Sequence, residues 1–307
     1  MCMGHHHGHG HGHSHDHTSN KKALLISFIF ISTFMVIEVI GGILTNSLAL
    51  LSDAGHMLSD AFALALSLFA FKLSEKAANS QNTYGYKRFE ILAAFINGVT
   101  LLAISIYIFY EAFHRFLDPP NVSPMMIWIA ITGLIINIVV AFILMYGGDT
   151  KDNLNMRSAL LHVFGDLLGS IGAIIAGLLI MFFNWNMADP IASIIVAALI
   201  LISGYRVTRE SFHILMEGTP NYLSYEDIEN KLVQLDGVIN IHDLHVWTIT
   251  SDFPALSCHM VVEENLDRDL LLKKAVNVLH DEFAIHHTTI QIEGPHADME
   301  HNENNCN

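Results

Sequence analysis

The sequence has little charge and few cysteines. Charged residues make up 15% of the 307 residues, and hydrophobic residues make up 52%. This composition argues against an ordinary soluble domain and indicates a multi-pass membrane protein. Three cysteines cannot build a disulfide framework, which fits a reducing compartment. The first 20 residues contain no apolar run, so we do not expect a signal peptide there.

Positive charge is scarce in the last third of the chain. From Arg209 onwards, 5 Lys and Arg stand against 18 Asp and Glu, so this part holds most of the net charge of −15. Such a surface repels the phosphates of nucleic acids and concentrates cations. We therefore expect a metal-handling domain and no nucleic-acid partner.

Histidine, by contrast, is abundant at the start. Residues 1–20 hold 8 of the 20 histidines, separated by Gly, Ser and Asp. A purification tag is one interpretation, but tags are usually uninterrupted. We favour a disordered cytoplasmic tail that collects metal ions weakly and holds no fixed site by itself.

Six apolar stretches follow, each near the length of about 20 residues that crosses a bilayer. We predict a six-helix, all-α transmembrane domain over residues 21–208, with spans at 23–44, 48–71, 89–112, 124–146, 158–183 and 188–208. The first two stretches are nearly continuous, with only Thr45-Asn46-Ser47 between them.

The basic residues near the ends of the spans predict the orientation. Ten Lys and Arg flank one side of the predicted spans, and Arg115 alone flanks the other. By the positive-inside rule, both termini face the cytoplasm. We expect a bacterial plasma (inner) membrane protein.

The part after the last span predicts a small cytoplasmic domain over residues 209–294. We expect a helix from Ser224 to Leu235, strands at 238–250 and 255–263, a helix at 266–283 and a strand at 288–293. The order αββαβ indicates a two-layer α+β domain of the ferredoxin or metallochaperone type. Residues 295–307 are predicted to be a disordered tail.

Two pairs of polar residues inside the apolar stretches are candidate metal ligands. His56 and Asp60 are four residues apart, as are His162 and Asp166, so each pair lies on one helix face. Ionisable groups at membrane depth are costly and usually functional. Together the four side chains offer the nitrogen and oxygen ligands of a tetrahedral Zn²⁺ site. The alternative is two unrelated packing pairs.

Other polar residues in the spans carry less information. Asp53 lies one turn before His56. It could orient His56, lie at the mouth of the ion pathway as a gate, or have no role in transport. Glu38, Asn97 and Asn137 are typical of hydrogen bonds between helices. The sequence lacks the His-Glu-x-x-His signature of a metalloprotease. Four protein ligands also leave no open position for water, so we expect a protein that is not an enzyme.

Several metal-binding side chains occur on or beside the predicted strands of the C-terminal domain. Such residues are often ordinary surface or packed side chains, but here they accompany an acidic domain and a histidine-rich tail. They are His242, His245, His259, His287 and Glu293.

Six motifs in order resemble the cation diffusion facilitators, in particular their zinc-transporting branch. They are Leu-Leu-Ser-Asp-Ala-Gly-His-x-x-x-Asp at 50–60, Tyr-Gly-Tyr-Lys-Arg-x-Glu at 84–90, His-x-x-x-Asp at 162–166, Leu-Met-Glu-Gly-Thr-Pro at 215–220, His-Asp-Leu-His-Val-Trp at 242–247 and Thr-Ile-Gln-Ile-Glu at 289–293. The resemblance covers roughly residues 20–294.

The resemblance implies a homodimer in the lipid bilayer that exchanges cytoplasmic Zn²⁺ for external H⁺. It implies that the transport ligands are His56, Asp60, His162 and Asp166. By its ligand chemistry, a site of two histidines and two aspartates suits Zn²⁺, and Cd²⁺ or Co²⁺ could share it. The resemblance also implies a zinc site in the cytoplasmic domain. We expect Zn²⁺ to be the substrate and also a regulatory ion, and we expect no further cofactor. The positions matching that second site are His242, His259, His287 and Glu293.

Two further features follow from the same resemblance. Arg88 and Glu217 match a charge interlock between the membrane and cytoplasmic parts. Some relatives complete the cytoplasmic site with a Cys-x-x-Cys near the C-terminus, whereas this chain has only Cys306 there. Cys2 or the histidine-rich tail could substitute. A membrane zinc sensor that binds metal without moving it is the main alternative function.

Overall fold

The computed structural model describes residues 16–74, 79–147, 154–250 and 253–295. The side chains of some helical residues, including His162 and Asp166, lie outside this description. The chain divides into two compact units. The first comprises residues 1–77 and 96–208, and the second comprises residues 78–95 and 209–307.

Long helices dominate the first part of the described chain. They are α1 (Asp16–Thr45), α2 (Leu48–Ser74), α3 (Arg88–Leu117), α4 (Met126–Gly147), α5 (Leu154–Phe183) and α6 (Ala188–Leu215). Each is 22 to 30 residues long. Each predicted span coincides with one of these helices to within two residues or lies inside it.

The boundary between α1 and α2 is a tight turn at Asn46 and Ser47. Asn46 has a left-handed φ of 57°, a conformation that Asn tolerates better than most residues. The Ser47 hydroxyl then accepts a hydrogen bond from the Leu50 amide at 3.3 Å, which is the usual arrangement at a helix start. The short polar break between the first two apolar stretches is therefore a helix boundary.

Within the described residues, three helices contain a stretch long and apolar enough to cross a membrane. These are Phe28–Thr45 of α1, α3 and α6. Shorter apolar stretches occupy Met126–Val139 of α4 and Gly169–Phe183 of α5. The number of membrane spans, predicted as six, stays a prediction.

Glycines let α3 and α6 approach closely in the first unit. A Cβ atom on Gly98 would lie 2.9 Å from the backbone nitrogen of Thr208, and one on Gly204 would lie 2.9 Å from the Cβ of Leu101. Both distances are too short for a real Cβ atom. Small residues of this kind allow helix backbones to pack tightly in membranes.

The second unit contains a three-stranded sheet and two short helices. In chain order these are α7 (Tyr225–Val233), β1 (Val238–Thr248), β2 (Pro254–Val262), α8 (Arg268–Phe283) and β3 (His287–Glu293). The order is the predicted αββαβ. Strand β2 lies in the centre, antiparallel to β1 and parallel to β3.

Capping side chains begin both short helices. The Ser224 hydroxyl accepts a hydrogen bond from the Asp227 amide at 3.2 Å, and the Asp267 carboxylate accepts one from Leu270 at 3.0 Å. Such caps satisfy amides that have no partner within the helix. The helix start predicted at Ser224 is confirmed.

Both helices cover one face of the sheet with apolar side chains. Ile228 and Leu232 of α7 and Leu279 of α8 are fully buried against Leu256 and Met260 of β2. Burying a side chain of this size contributes about 1.5 to 3 kcal/mol each before the entropy cost of ordering it. The functional side chains must therefore lie on the other face or at the sheet edges.

Candidate metal sites

Three adjacent strands bring metal-binding side chains together in the second unit. His242 of β1 lies directly opposite His259 of β2, and His259 pairs with Gln291 of β3. Because strand side chains alternate between faces, Glu293 shares a face with Gln291. The sheet register alone therefore places His242, His259 and Glu293 beside one another.

The distances within this cluster fit a metal ion. Glu293 Oε2 lies 3.2 Å from Nε2 of His242, and Glu293 Oε1 lies 2.9 Å from Nδ1 of His259. One ligand atom from each residue lies within 4.8 Å of the other two. Two imidazoles and a carboxylate are ligands that Zn²⁺ prefers, and tetrahedral coordination would need one more. We call these three residues the sheet cluster.

The Glu293 carboxylate is held in its charged form. Burial alone would raise its pKa, but hydrogen bonds from His242 and Gln291 and the nearby charges of His242 and His259 lower the pKa of Glu293 below its ordinary value. The Gln291 side-chain amide donates to Glu293 at 2.8 Å. A deprotonated carboxylate is the form that binds a metal ion.

Sequence reasoning missed Asp243 as a neighbour of the sheet cluster. A register shift lies between His242 and His245, and Asp243 has a left-handed φ of 51°. Its carboxylate lies 3.7 Å from Nε2 of His259 and 2.9 Å from Nε2 of His245. Asp is rare inside strands, so an Asp between two histidines could have indicated this β-bulge.

His287 lies apart from the sheet cluster. It begins β3 opposite Ala255, whereas Glu293 ends the same strand. Its Nε2 lies 3.3 Å from the Tyr84 hydroxyl, and its ring packs beside Phe253 at 5.8 Å. Within this protomer, the structure therefore does not bring His287 to the other three predicted ligands.

The cysteines contribute no ligand among the described residues. Cys258 is buried, and burial raises the pKa of its thiol to about 11, which keeps it protonated. Cys306 near the C-terminus and Cys2, considered above as a substitute for a missing ligand, lie outside the described residues.

In the first unit, α2 carries a histidine and a carboxylate in contact. Nδ1 of His56 lies 3.5 Å from Oδ2 of Asp60, one turn further along the helix. The Asp60 side chain is 6% exposed and that of His56 is 16% exposed. Their predicted partners, His162 and Asp166, belong to α5, but their side chains lie outside the described residues.

A chain of polar contacts joins α2 to α5 and α4 near this pair. The Ser170 hydroxyl of α5 donates to the Asp53 carboxylate at 3.4 Å, and the Asn137 amide of α4 donates to Ser170 at 3.4 Å. Asp53 is buried. Asp53 therefore connects α2 to α5 one turn before His56.

Asn97 and Asn137 behave as predicted, because both hydrogen-bond between helices. The Asn97 amide of α3 donates to the Ser59 hydroxyl of α2 at 2.9 Å. Glu38 is fully buried on α1.

The predicted ion pair between Arg88 and Glu217 is present inside the second unit, with a distance of 2.8 Å. Two more contacts join the start of α3 and the residue just before it to the sheet region. Lys87 lies 3.7 Å from the ring centre of Phe253, and the Thr250 hydroxyl donates to Glu90 at 3.0 Å.

Known proteins resemble the chain over nearly its whole length. The cation efflux transmembrane domain matches residues 24–216, and the cytoplasmic domain of cation efflux proteins matches residues 220–295. A cadmium, cobalt and zinc/H⁺-K⁺ antiporter of Bacillus subtilis is 56% identical over 295 residues, which cover 95% of this chain and 92% of the relative.

Two further relatives are similar over different lengths. The zinc transporter ZitB of Pectobacterium atrosepticum is 45% identical, covering 92% of this chain and 89% of the relative. A metal-bound C-terminal domain of the CzcD transporter from Cupriavidus metallidurans is 32% identical, with a TM-score of 0.23, covering 23% of this chain and 99% of that domain.

The two family matches together span the membrane helices and the sheet domain in the order found here. The Bacillus relative is named as an antiporter of cadmium, cobalt and zinc, and the Pectobacterium relative is named as a zinc transporter. Among the described residues, three helices are long and apolar enough to cross a membrane. The chain is therefore an integral membrane protein that belongs to the cation diffusion facilitator family of metal-cation efflux proteins.

Proposed function

We propose that this protein exports Zn²⁺ from the cytoplasm in exchange for protons, with Cd²⁺ and Co²⁺ as further substrates. The observation that carries the proposal is the His56 and Asp60 pair, which is largely buried on an apolar helix. Ligands at this depth are needed to move an ion, whereas a sensor can place them outside the membrane. The name of the Bacillus relative, an antiporter of these three metals, supports the same conclusion.

The transport site consists of His56 and Asp60 from α2 with His162 and Asp166 from α5. The contact between Asp53 and Ser170 supports this pairing, since it joins the two helices at 3.4 Å. Positions 162, 166 and 170 are spaced by four residues, or about one helical turn. A site of two imidazoles and two carboxylates suits a tetrahedral Zn²⁺ ion.

Exchange follows from competition between protons and the metal for the same ligands. Imidazole and carboxylate bind Zn²⁺ only when deprotonated, so zinc binding releases protons. Facing the cytoplasm, the site loses protons and binds zinc. Facing outwards, it is protonated again and releases zinc. Rocking of helices around the fixed ligands would supply the alternating access.

The protein works as a homodimer with six membrane spans per chain and both termini in the cytoplasm. The excess of Lys and Arg on one side supports this orientation. The family of the cytoplasmic domain is named for dimer formation, which supports the assembly. The plasma membrane of a bacterium is the proposed location, in line with the bacterial relatives.

Zinc bound by the sheet cluster regulates transport. His242, His259 and Glu293 would hold the ion, and the short distances among their ligand atoms fit it. Such an ion can shift the protein towards a transport-competent state only if it binds that state more tightly. No resident cofactor and no enzymatic activity are proposed, because a site of four protein ligands has no open position for a reacting water.

The test compares zinc flux by carboxylate variants in proteoliposomes. D60A and D166A should each reduce zinc flux to the level of empty vesicles, since each loses a ligand. D118A removes an exposed carboxylate near the end of α3 and should transport as the unaltered protein does. Normal flux by D60A or D166A would contradict the assigned site. Zinc binding without flux in the unaltered protein would favour the sensor.

A further inference from the structure

Asp189, at the start of α6, caps the beginning of α2. Its carboxylate accepts hydrogen bonds from the Ser47 hydroxyl at 2.6 Å, the Leu48 amide at 2.7 Å and the Ala49 amide at 3.2 Å. Asp189 and Ser47 have no exposed surface. The first amides of a helix have no partner within it and carry partial positive charge, so a carboxylate is well placed there. Here the carboxylate comes from a different helix.

Arg115, near the end of α3, joins the same group. Its Nη1 lies 3.7 Å from Oδ2 of Asp189 and donates to the Asn46 carbonyl at 2.7 Å. Nη2 donates to the Asn46 side chain at 3.3 Å, and Nε donates to Glu111 at 3.0 Å. One carboxylate and one guanidinium thus hold the α1–α2 turn from two other helices. We name Asp189, Arg115, Asn46 and Ser47 the outer charge cluster.

The position of this cluster gives it a role beyond folding. Leu48 precedes His56 by eight residues, which is about 12 Å along a helix. The cluster therefore closes the end of α2 that points away from the predicted cytoplasmic side, where Arg115 is the sole Lys or Arg flanking a predicted span. Any outward path to His56 that separates α2 from α6 must break these contacts. Removing one partner from a buried charged pair leaves the other uncompensated, which is strongly unfavourable.

We propose that the outer charge cluster is the lock that keeps the transport site closed to the outside, with Asp189 as its central positioning residue. Asp189 does not touch the metal. It acts by fixing the start of α2 against α6 and, through Arg115, against α3. Weakening the lock should shift the protein towards the outward-open state. This inference rests on the proposed transport function, since a protein that moves no ion has no need of an outward-open state.

The test measures how fast a thiol placed beside the outer charge cluster reacts with a reagent added from outside. A49C introduces a cysteine next to the cluster, at a position that is 1% exposed. Cys2 and Cys306 are replaced by serine, and Cys258 stays because it is buried. A membrane-impermeant thiol reagent is then added to right-side-out vesicles, which expose the outer side, and separately to inside-out vesicles, which expose the cytoplasmic side. D189N should raise the rate of outside labelling about tenfold, the effect of losing one charge-assisted hydrogen bond. D189N alters no metal ligand, so the expected change in labelling does not come from a change in zinc coordination.

Two serine variants provide a matched comparison. S47A removes the hydrogen bond to Asp189 across helices and also the acceptor of the Leu50 amide within α2. It should raise labelling several-fold, even if D189N fails to fold. S193A removes an equally buried hydroxyl that donates to the Asp189 carbonyl within α6 at 2.7 Å, and should leave labelling unchanged.

Equal rates of outside labelling in D189N, S47A and S193A would contradict the proposal that the outer charge cluster is a lock. Faster labelling from the cytoplasmic side alone would overturn its placement and therefore its role. Absence of zinc flux in the unaltered protein would overturn the proposed function, and with it the transport role of the cluster.

Discussion

At the scale of single residues, the sheet cluster depends on which side chains share a face of the sheet. His242 and His259 face each other across two strands, and both contact Glu293. His287 lies at the opposite end of β3 and contacts Tyr84 instead. The four positions look equivalent in the sequence. Within one protomer, however, His242, His259 and Glu293 lie together, whereas His287 lies apart from them.

This division predicts different effects of two histidine variants. In a D60A/D166A background that lacks the transport ligands, H259A should weaken tight zinc binding by at least about tenfold, because it removes one of few protein ligands. H287A should change the affinity less than about twofold. Isothermal titration of the purified protein in detergent measures both. Equal loss in the two variants would mean that His287 also binds the ion, which one protomer alone does not allow.

Cys258 should be chemically inert in the folded protein. Burial raises the pKa of its thiol from 9.0 to about 11, and the thiolate is the reactive form. We expect no reaction with a thiol reagent at pH 8 in a C2S/C306S variant until denaturant is added. The unfolded chain loses this proton before the folded one does, so this thiol lowers stability as pH rises from 9.0 towards about 11. Rapid labelling without denaturant would contradict the described burial.

Residue types and spacing predict some of these sites but not others. His56 and Asp60 follow from their spacing alone, since four residues make about one helical turn. The contacts of Asp243 with His245 and His259 do not follow from spacing, because they depend on a β-bulge and a left-handed backbone conformation. The cap that Asp189 provides for α2 joins residues more than a hundred positions apart. No local pattern contains that contact.

At the scale of helices and strands, the apolar stretches predict the helices well and their packing poorly. The break at Thr45-Asn46-Ser47 is short, yet α1 ends and α2 begins there. Capping explains this result, since Ser47 bonds to the third residue of α2. Helix packing depends instead on small residues such as Gly98 and Gly204, and the residues that they contact lie elsewhere in the chain.

The close contact of α3 and α6 predicts opposite outcomes for two glycine variants. G98A places a methyl group 2.9 Å from the Thr208 backbone nitrogen, so it should destabilise the protein by about 1 to 3 kcal/mol through overpacking. At Gly172 of α5, a Cβ meets nothing within 4 Å. G172A should therefore be neutral or slightly stabilising, because alanine favours helix. Thermal unfolding in detergent tests both, and equal melting temperatures of G98A and the unaltered protein would contradict the close packing.

At the scale of the whole molecule, two units carry two separate groups of metal-binding side chains. The membrane helices hold His56 and Asp60, and the three-stranded sheet holds the sheet cluster. Composition predicts a membrane part and an acidic part, because apolar residues concentrate between residues 23 and 208 and acidic residues concentrate from residue 209 onwards. Whether metal at the second site changes transport at the first depends on a difference between two states, which composition cannot reveal.

We propose that zinc moves against protons through one site. The most direct measurement is zinc uptake into proteoliposomes loaded with a zinc-sensitive dye, with and without an imposed pH gradient, while a second dye reports internal pH. An acidic interior should accelerate zinc uptake several-fold, because the site must be protonated again after each release. Internal pH should rise as zinc enters. Zinc uptake at the same rate with and without the pH gradient, with no change in internal pH, would contradict exchange of zinc for protons.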